Sequence, residues 1–438
     1  MSHPTTLEWT QGTFGLEPTW PHDPDLPTLI KTARPHLDLP ASAPLSAVPL
    51  PPAPFSRLYA LTAPDAAYVL RVSLPADPGL RTASAAATLG FVSQNAEVPV
   101  PRVLAFEAEA ANAIGYEWTL TSHVGGAPLY RAWRRMSWDA KTALVKRLAG
   151  LQADLSAHTF QRIGGLYAGA GEGEVVVGEL VAATQYQGDR VGGSSVRGPF
   201  ASSHAWLKAR LEGVMQEQRR VVEASCDEDE IDDAVFACAL AVQLEGLLGT
   251  VFLAGSGAGE TTALSCGHLS MHGVWVDGEG RLTGVVDWEG VPVVPVWRAG
   301  RLPVLFEERV REEKPVRGEY AEDSEEEDER DDDGLDNEGV TDLYWEHLLE
   351  WEITQLREVF VQEMEERQPG WTALAKQNKL KDDFERAVEE CGNGWRNKSV
   401  KRWADALAAG TPIDLTAILF SSPEIDQVSD SGMDWEEA

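Results

Sequence analysis

Cysteine is scarce in this chain. There are four in 438 residues, Cys226, Cys238, Cys266 and Cys391, and no two form a CxxC pair. That spacing indicates neither a zinc knuckle nor a disulfide scaffold, and it fits a reducing, cytoplasmic compartment. Basic residues are also few: 37 Lys and Arg stand against 70 Asp and Glu, a formal charge of −33. Such a surface repels phosphate backbones and anionic lipid, so neither nucleic acid nor membrane is expected as a partner. The start, Met1-Ser2-His3-Pro4, has no basic region followed by an apolar one, so no signal peptide is expected. Long apolar runs are limited to Ala234–Ala254, where only Gln243 and Glu245 are strongly polar. The length suits a span. Glu245 would lie near the bilayer centre, at roughly 2.5–3.5 kcal/mol on insertion scales. The flanks lack Lys and Arg, so the expectation is a buried globular helix.

What is present points to a folded protein. With 43% hydrophobic and 24% charged residues, the chain is too long for one small core and apolar enough for a large one. The acidic excess is partly local. Thirteen acids and one base, Arg330, fall between Glu319 and Glu338. Blocks of like charge are usually solvated and disordered, so 318–339 reads as an acidic insertion, and 421–438 as an acidic tail.

The pattern along the chain divides it further. Residues 1–44, rich in Pro, Trp and Thr, read as an extension that wraps the domain or stays loose. Pro49, Pro51, Pro52 and Pro54 exclude a helix in the stretch that follows. Strands are expected over Phe55–Leu61 and Ala67–Leu74, with Pro64-Asp65 turning between them. A helix is expected over Leu80–Asn95, and further strands over Arg102–Ala108 and Tyr116–Ser122. Gly125-Gly126-Ala127-Pro128 breaks the pattern. Beyond it, Ser137 can cap a helix to about Ala157, in which Leu144, Leu148, Leu151 and Leu155 form one stripe. Helices are expected at 202–223, 341–367 (capped by Thr341) and 381–408. Asp277-Gly278-Glu279-Gly280 signals a hairpin between Val274–Val276 and Leu282–Val286. The result is a strand-rich half, 45–122, and a larger helical half, 123–420, joined near 122–128. A cleft between two lobes is a default ligand site.

The segment CGHLSMHGVWVDGEGRLTGVVDWE, Cys266 to Glu289, carries the most specific signal. It resembles the fungal branch of the aminoglycoside phosphotransferase/choline kinase family. YVLRVSLPADPGLRTAS at 68–84, VPVPRVLAFE at 98–107, GAPLYRAWRRMSW at 126–138 and LKDDFERAVEECGNGW at 380–395 resemble it too. The resemblance spans roughly 45–410. It implies an α+β, protein-kinase-like, two-lobed fold, with a small strand-rich N-lobe and a larger helical C-lobe. It also implies ATP as donor, Mg²⁺ as its ion, and in-line transfer of the γ-phosphoryl group, a chemistry of positioning and charge neutralisation.

The chain departs from that family at most of the working positions. His268 stands where the resemblance places the catalytic Asp, and Gly273 where it places the metal-binding Asn. Ala85 takes the place of the helix Glu that orients the strand base. Ala53 falls where the nucleotide loop has glycine, in a stretch with no glycine between Gly15 and Gly79. Two positions survive: Arg71 as the basic residue that meets phosphates, and Asp287 as a metal ligand, with Glu289 beside it. His268 could serve as a base, its unperturbed pKa lying near 6.5. It is a poor Mg²⁺ ligand, because Mg²⁺ takes oxygen. Without an acid at Ala85, Arg71 is expected to be unrestrained.

Two readings of function follow, with a third beside them. In the first, the protein is a catalytically impaired or inactive, pseudokinase-like relative acting as a binding module, and the departures tell against both ATP and Mg²⁺. In the second, it is an active atypical phosphotransferase, with Asp287 on Mg²⁺ and His268 at the base position. Its acceptor would be a small cationic or hydroxyl-bearing metabolite, cationic ones being favoured by steering. In the third, it is an interaction protein that captures a partner through 319–338.

Overall fold

In a computed structural model of the chain, the described residues are 7–12, 15–40, 42–51, 53, 55–181, 196–252, 259–307, 309–320 and 337–420. Most of the acidic segment (321–336), the tail 421–438, Pro52 and Pro54 lie outside them. The chain divides into two compact units, Met1–Trp206 with Gly255–Gln377, and Leu207–Ala254 with Asn378–Ala438. The helical half expected as one block over 123–420 is therefore shared between both.

The first unit is built on a five-stranded antiparallel sheet. Its spatial order is Ser46–Pro49, Ser56–Ala63, Ala66–Ser73, Glu117–Ser122, Val103–Glu107. The two strands expected at 55–74 pair in full register, from Ser56 opposite Ser73 to Ala63 opposite Ala66, so the turn falls on Pro64-Asp65. Leu61, Leu70, Val72, Tyr116 and Leu120 form the sheet's core. Part of the stretch before it packs on this sheet, with Leu37 in its core and Leu7, Trp20 and Leu39 against it. Asp25 caps the helix Leu26–Ala33, whose Leu29 and Ala33 are buried in the same core.

The expected helices follow. Leu80–Asn95 forms as read, with Gly79 (φ 79) before it in a conformation that suits glycine. Ser137 caps Trp138–Ser156 by accepting from the Ala140 N–H. Its leucine stripe is buried, Leu144 at 2% exposure and Leu148 and Leu155 at 0%, in a cluster with Ile353, Leu356 and Phe360 of the helix Asp342–Arg367. Each such leucine contributes about 1.5–3 kcal/mol by leaving water. Thr341 sits at the start of that last helix, but its side chain makes no capping bond. The hairpin Val274–Val276/Leu282–Val285 turns on Asp277, whose carboxylate accepts from Glu279 N–H and Arg281 N–H. This unit thus runs from strands to helices, the α+β arrangement expected.

The second unit is helical. Asp227 caps Glu228–Val251. That helix is long and apolar enough to cross a membrane, and it is only partly buried. Ala234, Ala237, Leu240, Ala241, Leu244 and Leu248 pack inward, while Val235 and Val242 are exposed. The expectation of full burial is corrected to one buried face. The helix expected over 381–408 is two helices, Lys379–Glu390 and Asn397–Ala408. Between them Gly392 takes φ 111, which no helix admits. Phe384 and Trp403 meet edge to face at the centre of this unit.

Candidate functional site

Four stretches of the first unit supply the candidate residues: the strand Ala66–Ser73, the start of the helix Leu80–Asn95, the loop 265–273, and the turn after Leu282–Val285. Arg71 lies on the middle strand of the sheet, opposite Leu58 and Thr119. It is not unrestrained. Its Nη1 donates to Glu289 Oε2, which corrects the expectation drawn from Ala85. Arg81 Nη2 donates to the same carboxylate oxygen at 2.7 Å. The Arg71, Glu289 and Arg81 side chains are 27%, 15% and 6% exposed. Burial pushes the Glu289 carboxyl up, but the two guanidinium groups outweigh it and hold it below its ordinary value. Glu289 is therefore an anion between two cations.

Arg81 also ties down the segment expected to cover phosphates. It donates to the Phe55 carbonyl at 3.4 Å and to Ser56 Oγ at 3.1 Å, and lies over the Phe55 ring. Ala53 and Ser56 exchange both backbone hydrogen bonds, at 3.0 and 3.2 Å. A phosphate-cradling loop works by offering unsatisfied N–H groups. The N–H groups of Ala53 and Ser56 are already used.

Two more buried acids stand at the head of the helix Leu80–Asn95: Asp77, just before it, and Glu117, from the strand Glu117–Ser122. Glu117 accepts from the Gly79 N–H at 2.8 Å and from Thr82 Oγ1 at 2.5 Å, and burial pushes its carboxyl up. Asp77 pairs with Arg197, and burial raises it likewise.

The structure places the other candidates apart in character. His268 is packed edge-on against Trp288, ring centroids 4.6 Å apart. Neither ring nitrogen has a hydrogen-bond partner of proper geometry among the described residues, the nearby Ser265 carbonyl included. Burial pushes its pKa down to about 4, with that carbonyl pulling weakly the other way. The loop around it is fixed from outside, since Val304 N–H bonds to Gly267 O and Leu305 N–H to Leu269 O, both at 3.0 Å. Asp287 is exposed and takes φ 69, a left-handed conformation that Asp tolerates better than most residues. Gly273 lies beside it. Its carbonyl accepts from Val286 N–H at 2.8 Å, and a Cβ built on Gly273 would stand 3.9 Å from the Asp287 Cβ.

Gly273 and Asp287 are therefore neighbours in space, and of the two only Asp287 brings a side-chain oxygen. Mg²⁺ takes oxygen ligands in strict octahedral geometry. Gly273 brings no side chain, the His268 nitrogens are buried, and the described residues hold no cluster of three His, Cys, Asp or Glu around a common point. Asp287 alone does not build a Mg²⁺ site.

The family model described as the phosphotransferase enzyme family, APH, matches residues 55–297, more than half of the chain. The chain belongs to that family. A comparison with curated proteins gives no match. Among solved structures it is similar to the aminoglycoside phosphotransferase APH(4)-Ia, with 14% identity, 90% of this chain and 98% of the other covered, and a TM-score of 0.45. It is also similar to the macrolide 2'-phosphotransferase MphH from Brachybacterium faecium, with 17% identity, 91% and 100% covered, and a TM-score of 0.39.

Reading the sequence alone missed the partnership of Arg71 and Arg81 with Glu289. The signal available was a charged residue in each of two blocks, LRT at 80–82 and DWE at 287–289.

Proposed function

We propose that this protein is a member of its family that binds a nucleoside triphosphate through Arg71, is impaired in phosphoryl transfer, and acts as a binding module. One observation carries the reading: where the transfer chemistry needs a carboxylate base and a second metal ligand, the chain has a half-buried histidine with both ring nitrogens covered, and a glycine. His268 at a pKa of about 4 is neutral at pH 7, and its ring nitrogens are closed off from an acceptor hydroxyl. A positioned base alone is worth about 10²–10⁴ in rate. The nucleotide's companion is a small cationic or hydroxyl-bearing metabolite, which the net charge of −33 supports for cations by steering. A cytoplasmic setting suits such ligands.

The alternative, an active atypical phosphotransferase with Asp287 on Mg²⁺ and His268 as base, draws support from the exposed Asp287 carboxylate. Incubation with γ-labelled ATP, Mg²⁺ and a panel of aminoglycosides, choline and other amino alcohols separates the two. No acceptor labelled above the hydrolysis background supports impairment. Sustained labelling lost in His268→Ala would overturn it. The acidic segment 319–338 offers a further partner site. Its neck is closed by the Thr341 N–H to Tyr320 O bond at 2.9 Å and by Arg317 with Glu338 at 3.1 Å. Deleting 322–336 should leave the fold intact and remove any protein captured through the segment.

A further inference from the structure

We infer that Glu289 is the positioning residue for Arg71, supplying from the loop after Leu282–Val285 the carboxylate that the helix position Ala85 lacks, so that Arg71 presents its remaining N–H groups to a polyphosphate. The inference rests on the nucleotide-binding reading above.

Three observations carry it. First, the contact is economical. Arg71 uses one terminal nitrogen, Nη1, and Glu289 one oxygen, Oε2. A guanidinium has five N–H donors in a fixed fork. Among the described residues the side chain of Arg71 has no second partner, and it is 27% exposed. The unused edge can therefore take phosphate oxygens while the Glu289 contact stays made.

Second, Glu289 is itself held. The same Oε2 accepts from Arg81 at 2.7 Å, and Arg81 is 6% exposed. Arg81 is anchored in turn on the Phe55 carbonyl and Ser56 Oγ. Swinging Glu289 away to make room for an anion would remove the carboxylate from a buried guanidinium, a change that the interior strongly resists. The carboxylate is thus a strut for Arg71 and not a plug that a phosphate would displace.

Third, the strut joins separate parts of the unit: the strand of Arg71, the helix start of Arg81, the turn at Phe55-Ser56, and the loop of Asp287. Fixing Arg71 from the loop that bears Asp287 sets both residues in one frame. A bound polyphosphate would meet an arginine whose rotamer is already chosen, which lowers the ordering cost of binding.

The test uses the full chain and its isosteric variant Glu289→Gln. Arginine-selective labelling with phenylglyoxal, read at Arg71 by mass spectrometry, reports how firmly the side chain is held without any nucleotide. Titration calorimetry with ATP and with inorganic pyrophosphate reports the anion site. The expected result is faster labelling of Arg71 in Glu289→Gln and about tenfold weaker ATP and pyrophosphate binding, the loss of a charge-assisted orienting contact. Unchanged labelling overturns the inference. So does tighter anion binding in Glu289→Gln, since that would make the carboxylate a competitor. If labelling rises while the wild type binds neither ligand, the strut stands and the nucleotide reading fails. If Glu289→Gln does not fold, Arg71→Lys carries the test. A lysine's single ammonium would be taken up by Glu289, so anion binding should again fall about tenfold, and unchanged binding would overturn the inference.

Discussion

His268 makes the stability of this protein depend on mild acid in a calculable way. Its pKa stands near 6.5 in an unfolded chain and is pushed down to about 4 by burial. Between those values the unfolded chain binds a proton that the folded chain refuses, so stability falls as pH falls from about 6.5 towards 4. Linkage gives a loss of about 2 kcal/mol at pH 5 and about 3 kcal/mol at pH 4, relative to pH 8. Carboxyl groups respond to acid as well. Asp77 and Glu117, whose values are raised, favour the fold as pH drops, whereas Glu289, held below its ordinary value, opposes it only below about pH 4.5. The perturbation that isolates His268 is therefore His268→Gln, with urea unfolding of both proteins at pH 8, 6 and 5. The variant is expected to lose stability less steeply with acid, and the gap between the two curves should change by about 2 kcal/mol between pH 8 and 5. Parallel curves would refute the buried, unprotonated ring, and with it the argument that His268 cannot reach an acceptor's proton.

Three further outcomes are expected. Gly273→Asn should fold, since a Cβ there meets nothing closer than the Val286 carbonyl at 3.4 Å, and it should make ATP binding respond to Mg²⁺ in calorimetry where the wild type does not. Lys141→Ala should destabilise the first unit by about 1–3 kcal/mol in denaturant melts, since Glu352, 13% exposed, loses its 2.6 Å ion-pair partner and keeps the Trp133 Nε1 bond at 2.7 Å. Leu148→Ala, at a fully buried stripe position, should cost about 2–5 kcal/mol in the same assay.

Much of this architecture was legible because its signals are local. Pro64-Asp65 between two apolar runs specifies a hairpin, Ser137 a helix start, and the Leu144 to Leu155 spacing a buried face. Gly392 and Gly394, within the quoted block LKDDFERAVEECGNGW, carried the break between the helices Lys379–Glu390 and Asn397–Ala408, a signal that the single helix expected over 381–408 passed over. The wrap of residues 26–33 depended on a partner surface, the sheet core around Leu70 and Tyr116, that local pattern does not describe. The site divides in the same way. Asp287 in DWE, His268 and Gly273 were visible as residue identities. The bond from Arg71 to Glu289 joins positions 218 apart, and no spacing rule relates them. Burial of the His268 ring is likewise a property of the surrounding packing and not of the loop's own residues.

The central claim, nucleotide bound without a working metal site, is met most directly by calorimetric titration of the full protein with ATP, in EDTA and again in excess Mg²⁺. The account predicts binding that is lost in Arg71→Ala and unaffected by the ion. Binding that appears only with Mg²⁺ and vanishes in Asp287→Ala would contradict it.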